Sequence, residues 1–197
     1  QQQVLRNLLD IGAIACVVQV EELGTVLNNL KGKPAAVITD SQAFGAVSKI
    51  VPDDIPLTSF SILLANYRGM LSTAVDGVLA VNSLKDGDKI LIAEGCTHHR
   101  QCNDIGSVKI PNWIRKHSGK QLSFDVVSGH EFPEDLSEYS LILHCGGCMI
   151  TEKEVDVRKE RAQQQNIPFT NYGITIAYIH GILKRSLEVF PELYGKL

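Results

Sequence analysis

The chain has 197 residues, 44% of them apolar, enough to core one or two small domains. A formal charge of −3 and an isoelectric point near 6.1 argue against a nucleic-acid surface or a polybasic membrane patch. No apolar run approaches the roughly 20 residues of a membrane span, and five cysteines, two of them spaced C-x-x-C, fit a reduced cytoplasm and a metal or redox role better than a disulfide framework.

No signal peptide opens the chain, and the start, Gln1-Gln2-Gln3 without Met, is that expected of a piece of a longer protein. Val4 to Leu9 predict a short helix ended by Gly12. Ala13 to Val18 is a continuous apolar run, β-branched at its end, and predicts a strand buried on both faces, with Cys16 a small core residue. Glu21 to Leu30 carries Leu23, Val26, Leu27 and Leu30 at helical spacing before Gly32 and Pro34. Ala35 to Thr39 predicts a second buried strand. Asp40 or Ser41 caps the helix that follows, with Phe44, Val47 and Ile50. Leu57 to Ser59 predicts a third short strand, and Ser59 or Ser61 opens a helix through Leu64. This first third, a β-α-β-α layer, holds no cluster of reactive side chains, and its predicted role is packing, including against a copy of itself. A boundary at Tyr67-Arg68-Gly69 divides the chain into domains of residues 1–69 and 70–197.

Past that boundary Met70 to Ser83 predicts a helix and Lys89 to Ala93 a strand. Asp104 to Lys109 predicts a helix, and Pro111 the first turn of another that stops at Gly119. Leu122 to Val127 and Ser140 to Leu143 predict strands. Thr151 to Gln165 is a charged helix whose charges read as a solvated face. Ile167 to Thr170 predicts a last strand, and Asn171 caps one long helix through Leu187 that Pro191 ends. Strands alternating with helices give an α/β fold: two small domains, each a mostly parallel sheet flanked by helices.

Chemistry gathers in two places. One apolar run ends in Glu94-Gly95-Cys96-Thr97-His98-His99, another in His144-Cys145-Gly146-Gly147-Cys148. Ligand sites of open α/β sheets lie beyond the carboxyl ends of the strands, so two such ends converge if their strands are neighbours. Cys148 falls about one turn before the charged helix, whose N-terminus favours thiolate. Gly146 and Gly147 let the backbone bend tightly and direct N–H groups at sulfur. Three thiolates with a replaceable fourth ligand suit a 4Fe-4S cluster with one accessible iron. Three cysteines and a histidine equally suit structural zinc. A redox C-x-x-C would leave Cys96 and the histidines unused. Cys102 is outside the motif, and His117, His130 and His180 read as structural.

The spacing Cys96-x-His98, 45 residues, His144-Cys145-x-x-Cys148 resembles the motif of HydF, the GTPase family of FeFe-hydrogenase maturation. Val37 to Phe44, Pro56 to Ile62, Asp86 to Lys89, Val108 to Trp113 and Asn171 to Gly173 are similar to stretches of that family too, so the resemblance covers nearly the whole chain. The family joins a GTPase domain to a dimerisation domain and a cluster-binding domain. This chain resembles the last two and carries no phosphate loop: Gly32-Lys33 lacks an upstream Gly and is followed by Pro34. The resemblance implies a homodimer, with no turnover by this part of the protein. It implies a 4Fe-4S cluster on Cys96, Cys145 and Cys148, with Glu94, His98 or His144 at the fourth iron. It implies a cytoplasmic scaffold that takes a diiron subcluster with CO, cyanide and dithiolate ligands from the radical-SAM maturases HydE and HydG and passes it to apo FeFe-hydrogenase. The alternative is a zinc-stabilised regulatory or interaction domain.

Overall fold

A computed structural model describes residues 1–95 and 104–196. Helix α1 (Gln2–Asp10) buries none of its residues. The apolar run after it is not a strand. Residues 13–19 are irregular and unpaired, Ile14 is 100% exposed, Val17 is 74% exposed, and Cys16 lies at the surface rather than in the core. A buried strand needs a backbone partner and an apolar layer on each face; among the described residues this segment has no strand partner, and of its apolar side chains Val18 packs against the small core while Ile14 and Val17 stay exposed.

Helix α2 (Val20–Asn29) starts with a capping box between Gln19 and Glu22 and buries Leu23. Strand β1 (Val37–Thr39), helix α3 (Phe44–Val47) and strand β2 (Leu57–Ser59) follow. β1 and β2 pair in parallel with Val37 opposite Leu57. Leu23, Phe44, Val47, Val51, Ile55 and Leu57 form a small core beneath them. Helix α4 (Phe60–Tyr67) is capped by Ser59, whose hydroxyl accepts from the Ile62 amide. It turns away from the small sheet, and Ile62 and Ala65 join the larger core.

Helix α5 (Leu71–Val78) tightens into a 3₁₀ turn, Leu79–Ser83, where one continuous helix was expected. Strand β3 (Lys89–Glu94) leads towards a π-helical turn, Ile105–Lys109, opened by Asp104. Helix α6 (Ile110–Ser118) has Pro111 in its first turn and ends on Gly119 at φ +68°. Strands β4 (Ser123–Ser128) and β5 (Leu141–His144), helix α7 (Glu152–Gln164) and strand β6 (Phe169–Asn171) complete the sheet. Thr151 caps α7, and Asn171 caps α8 (Tyr172–Ile179) by accepting from the Ile174 amide at 2.8 Å.

The last helix is broken. Gly181 stands at φ +69°, and the Gly181 and Ile182 amides fold back onto the carbonyls of Tyr178 and Ala177, each at 2.9 Å. That pair of bonds ends a helix on a left-handed glycine. The chain resumes in α9 (Leu183–Ser186) and α10 (Pro191–Tyr194), and Pro191 begins the last piece instead of stopping the one before it.

The larger sheet is parallel throughout, in the order β4-β3-β5-β6. β3 and β5 are therefore neighbours, with Ala93 opposite His144 at their carboxyl ends. α5 lies so close to β6 that a Cβ on Gly77 would stand 2.1 Å from the Phe169 carbonyl oxygen. The two layers are tied together by polar contacts. Thr58 Oγ1 donates to the Ser186 carbonyl at 2.9 Å, and Arg185 donates to the carbonyls of Ser48, Val51 and Pro52. Arg68 Nη1 donates to the Ile150 carbonyl at 3.0 Å, and Lys159 Nζ to that of Gly69 at 3.2 Å. Among the described residues no helix is long and apolar enough to cross a membrane.

Candidate metal centre

Ile90 to Ala93 on β3 and Leu141 to Leu143 on β5 are fully buried, which seats the two strands in the middle of the sheet and brings their ends to one place. The pairing runs one residue past the strand, as the Cys145 amide donates to the Ala93 carbonyl at 2.9 Å. The chain then leaves the sheet, and two backbone amides point at the Cys145 sulfur: Gly95 at 3.0 Å and Gly147 at 3.3 Å. This contact brings Gly95, at the end of β3, against Cys145 across 50 residues of sequence. Gly147 stands at φ +66°, and a Cβ there would lie 3.1 Å from Val155 Cγ2, so both conformation and space call for glycine. At Gly146 a Cβ would sit 3.3 Å from Leu64 Cδ2 of α4.

Of the six residues named from sequence, four can be located. Cys145 is half-buried and Cys148 exposed, with Met149 beside it 72% exposed. Glu94 and His144 are buried. Cys96 and His98 lie outside the described residues, as do His99 and Cys102. Among the described residues no three His, Cys, Asp or Glu side chains come together as a metal-ligand set.

Glu94 closes β3 with 2% exposure. The Tyr172 hydroxyl donates to its Oε1 at 3.3 Å and the Ser128 hydroxyl to its Oε2 at 3.4 Å. Burial, then the Glu94 charge and then Cys145, hold the Tyr172 pKa far above the ordinary range, so the phenol keeps its proton and serves as a donor. Gly106 leaves room for this pair, since a Cβ there would stand 2.3 Å from the Tyr172 hydroxyl and 2.7 Å from Glu94 Oε1.

His144 is the other buried group. Its Nδ1 is 2.6 Å from the Cys145 carbonyl oxygen, and Arg158 Nη1 is 3.3 Å from its Nε2. The ring stacks on Phe169 with centroids 5.6 Å apart. Burial pushes the His144 pKa down to about 4; the Cys145 carbonyl opposes this, Arg158 adds to it, and Glu154 opposes it. Arg158, 1% exposed, also donates to Glu154 Oε1 at 2.9 Å and to the Gly129 carbonyl, and its guanidinium lies 5.2 Å from the centre of the Phe132 ring.

Arg158 is the residue that the sequence reading missed, having taken the charges of α7 as solvated. The signal was present: Val155, Arg158 and Ala162 share one face at helical spacing, and all three are buried. An arginine interrupting an apolar stripe, with Glu154 one turn earlier, marks a buried charge that needs partners.

The donor chemistry fits a metal-bound thiolate. Amide groups aimed at sulfur, a glycine turn and a second cysteine three residues on are what a sulfur-ligated iron cluster or zinc uses. Comparison with known proteins gives two findings. A model of the hydrogen maturase F dimerization domain matches residues 1–69, and a model of the hydrogen maturase F tetramerization domain matches residues 72–189. No curated protein matches the chain.

Proposed function

The chain belongs to the hydrogen maturase F family, and on that premise we propose that it holds a 4Fe-4S cluster on Cys96, Cys145 and Cys148 and acts as a cytoplasmic scaffold for the diiron subcluster of FeFe-hydrogenase. Membership makes hydrogenase maturation its process, and the matched domains are the self-association domains rather than the GTPase domain. The observation that supports the metal reading best is the Gly95 amide against the Cys145 sulfur at 3.0 Å. It brings the end of β3, which leads directly into Cys96, against the first cysteine of the C-x-x-C pair.

In this reading three thiolates hold the cluster, and a weaker donor, a candidate being Glu94, His98 or His144, completes it. When bound, the cluster supplies an iron whose ligand can be replaced. The chain's own residues do the rest. The Gly95 and Gly147 amides offset the charge on the Cys145 sulfur. Tyr172 and Ser128 hold the Glu94 carboxylate in place. Cys148 and Met149 stand at the surface, where the cargo and its partners arrive: the maturases HydE and HydG as donors, apo-hydrogenase as acceptor. The diiron unit, with its CO, cyanide and dithiolate ligands, is the substrate and is passed on unchanged, so this part of the protein performs no turnover.

Anaerobic loading with ferrous iron and sulfide tests the reading. The expected product is brown, with about four iron and four sulfide per chain. A colourless protein that retains about one zinc per chain and takes up no iron would overturn it in favour of a zinc-stabilised interaction domain.

A further inference from the structure

We infer that His144 is a positioning residue for the Cys145 turn, locked in one orientation by Arg158, and not a ligand of the metal. What the turn holds rests on the reading above; the lock is a property of the chain alone.

The hydrogen-bond partners fix the state of the imidazole. The Cys145 carbonyl can only accept, so Nδ1 carries the proton directed at it, across 2.6 Å. A guanidinium can only donate, so Nε2 offers its lone pair to Arg158 Nη1, at 3.3 Å. Both nitrogens are thereby engaged, and the lone pair a metal would need faces a buried cation. Turning the ring to meet a metal would strand two groups at once, the Cys145 carbonyl and a buried guanidinium donor.

Arg158 is held as firmly as the ring it holds. Glu154 accepts from its Nε, the Gly129 carbonyl from its Nη2, and the Phe132 ring lies under its plane. The Gly129 amide donates in turn to the Glu94 carbonyl at 3.0 Å. One side chain of α7 thus ties the end of β4 to the end of β5. Through His144 it also sets the Cys145 carbonyl, and so the next peptide of the turn whose Gly147 amide returns to the cysteine sulfur. Groups of this kind orient a ligand without touching the metal.

The full 197-residue chain serves for the test, with two readouts. In the metal-free protein, long-range proton–nitrogen NMR should find His144 as the neutral tautomer protonated on Nδ1. An Nε2-protonated ring would overturn the lock whether or not the chain ever binds iron. After anaerobic loading with ferrous iron and sulfide, three variants are compared. His144→Asn places an amide nitrogen near Nδ1 and should retain iron and the nitrogen couplings of the parent in pulsed paramagnetic resonance. Arg158→Met and His144→Ala should lose iron to a chelator roughly tenfold faster or more, with unchanged g values. A directly bound imidazole coupling that vanishes in His144→Asn would make His144 a ligand and end the proposal. So would parent-like retention in Arg158→Met. Should Arg158→Met fail to fold, His144→Asn against His144→Ala decides, and equally fast loss from both refutes the positioning role. If the parent takes up no iron, the metal reading fails while the tautomer still decides the lock.

Discussion

Replacing Gly77 by alanine sets two effects of opposite sign against each other. In an open helix the change would stabilise the protein by about 1 kcal/mol, because alanine is the better helix former. Here the new methyl would stand 2.1 Å from the Phe169 carbonyl oxygen and 2.9 Å from the Phe169 nitrogen. Those are backbone atoms and cannot rotate away. Non-bonded heavy atoms settle at roughly 3.5–4 Å, so α5 and β6 must part by more than about 1 Å. Overpacking of this kind costs about 1–3 kcal/mol. The same shift stretches the buried bond from Thr170 Oγ1 to the Ala74 carbonyl, 2.8 Å long, at about 1 kcal/mol more. The clash therefore outweighs the propensity, leaving a net loss of about 2 kcal/mol. At about 2–4 °C per kcal/mol for a chain of this size, the melting temperature should fall by about 4–8 °C. Gly45 in α3 is the control, because a Cβ there meets nothing within 4 Å, and Gly45→Ala should raise the melt by a few degrees. Circular dichroism melts read both. A Gly77→Ala protein melting at or above the parent would refute the close packing of α5 on β6.

Cys96→Ser, Cys145→Ser and Cys148→Ser should each abolish stable cluster retention, while Cys16→Ser and Cys102→Ser keep it; full iron and sulfide content in Cys96→Ser would remove Cys96 from the ligand set. Asn171→Ala takes the cap from the first turn of α8 and should cost about 1 kcal/mol in urea denaturation; an unchanged midpoint would show that the cap contributes nothing. The chain should give no saturable heat on titration with GTP and Mg²⁺, and micromolar binding would contradict the absence of a phosphate loop. Ile14→Lys combined with Val17→Lys should weaken self-association, read as a drop in mass by light scattering; a parent-like mass would put the interface elsewhere.

The larger sheet was legible because a parallel strand covered on both faces is written as an unbroken apolar run, as at Leu141 to Leu143. Helix starts were legible where the capping residue is chemically specific, at Ser59, Thr151 and Asn171. Residues 13–18 misled for the same reason that β3 did not: an apolar run records that something covers it, not whether the cover is in the same chain. The break at Gly181 was hidden because Ile182, Leu183 and Leu187 still face the core after the turn and so continue the periodicity. The site was half legible. The motif singled out candidate sulfurs, but only the strand order, with β3 beside β5, brings the end of β3 against Cys145. Arg158 was hidden in composition, since a lone buried charge within a charged run looks like the rest, and only its spacing with Val155 and Ala162 marks it.

The two family models part between residues 69 and 72, yet packing crosses that boundary. α4 belongs to the first by sequence and to the second by packing. Ile62 and Ala65 are completely buried in the larger core, Leu64 lies over Gly146, and Arg68 holds the Ile150 carbonyl. A protein begun at residue 70 would lose the Leu64 cover of its cysteine turn and uncover α5 and α8, against which α4 packs. The packed unit around the Cys145 turn therefore begins at α4, twelve residues before the second family model starts, and excision or grafting of that turn has to carry α4 with it.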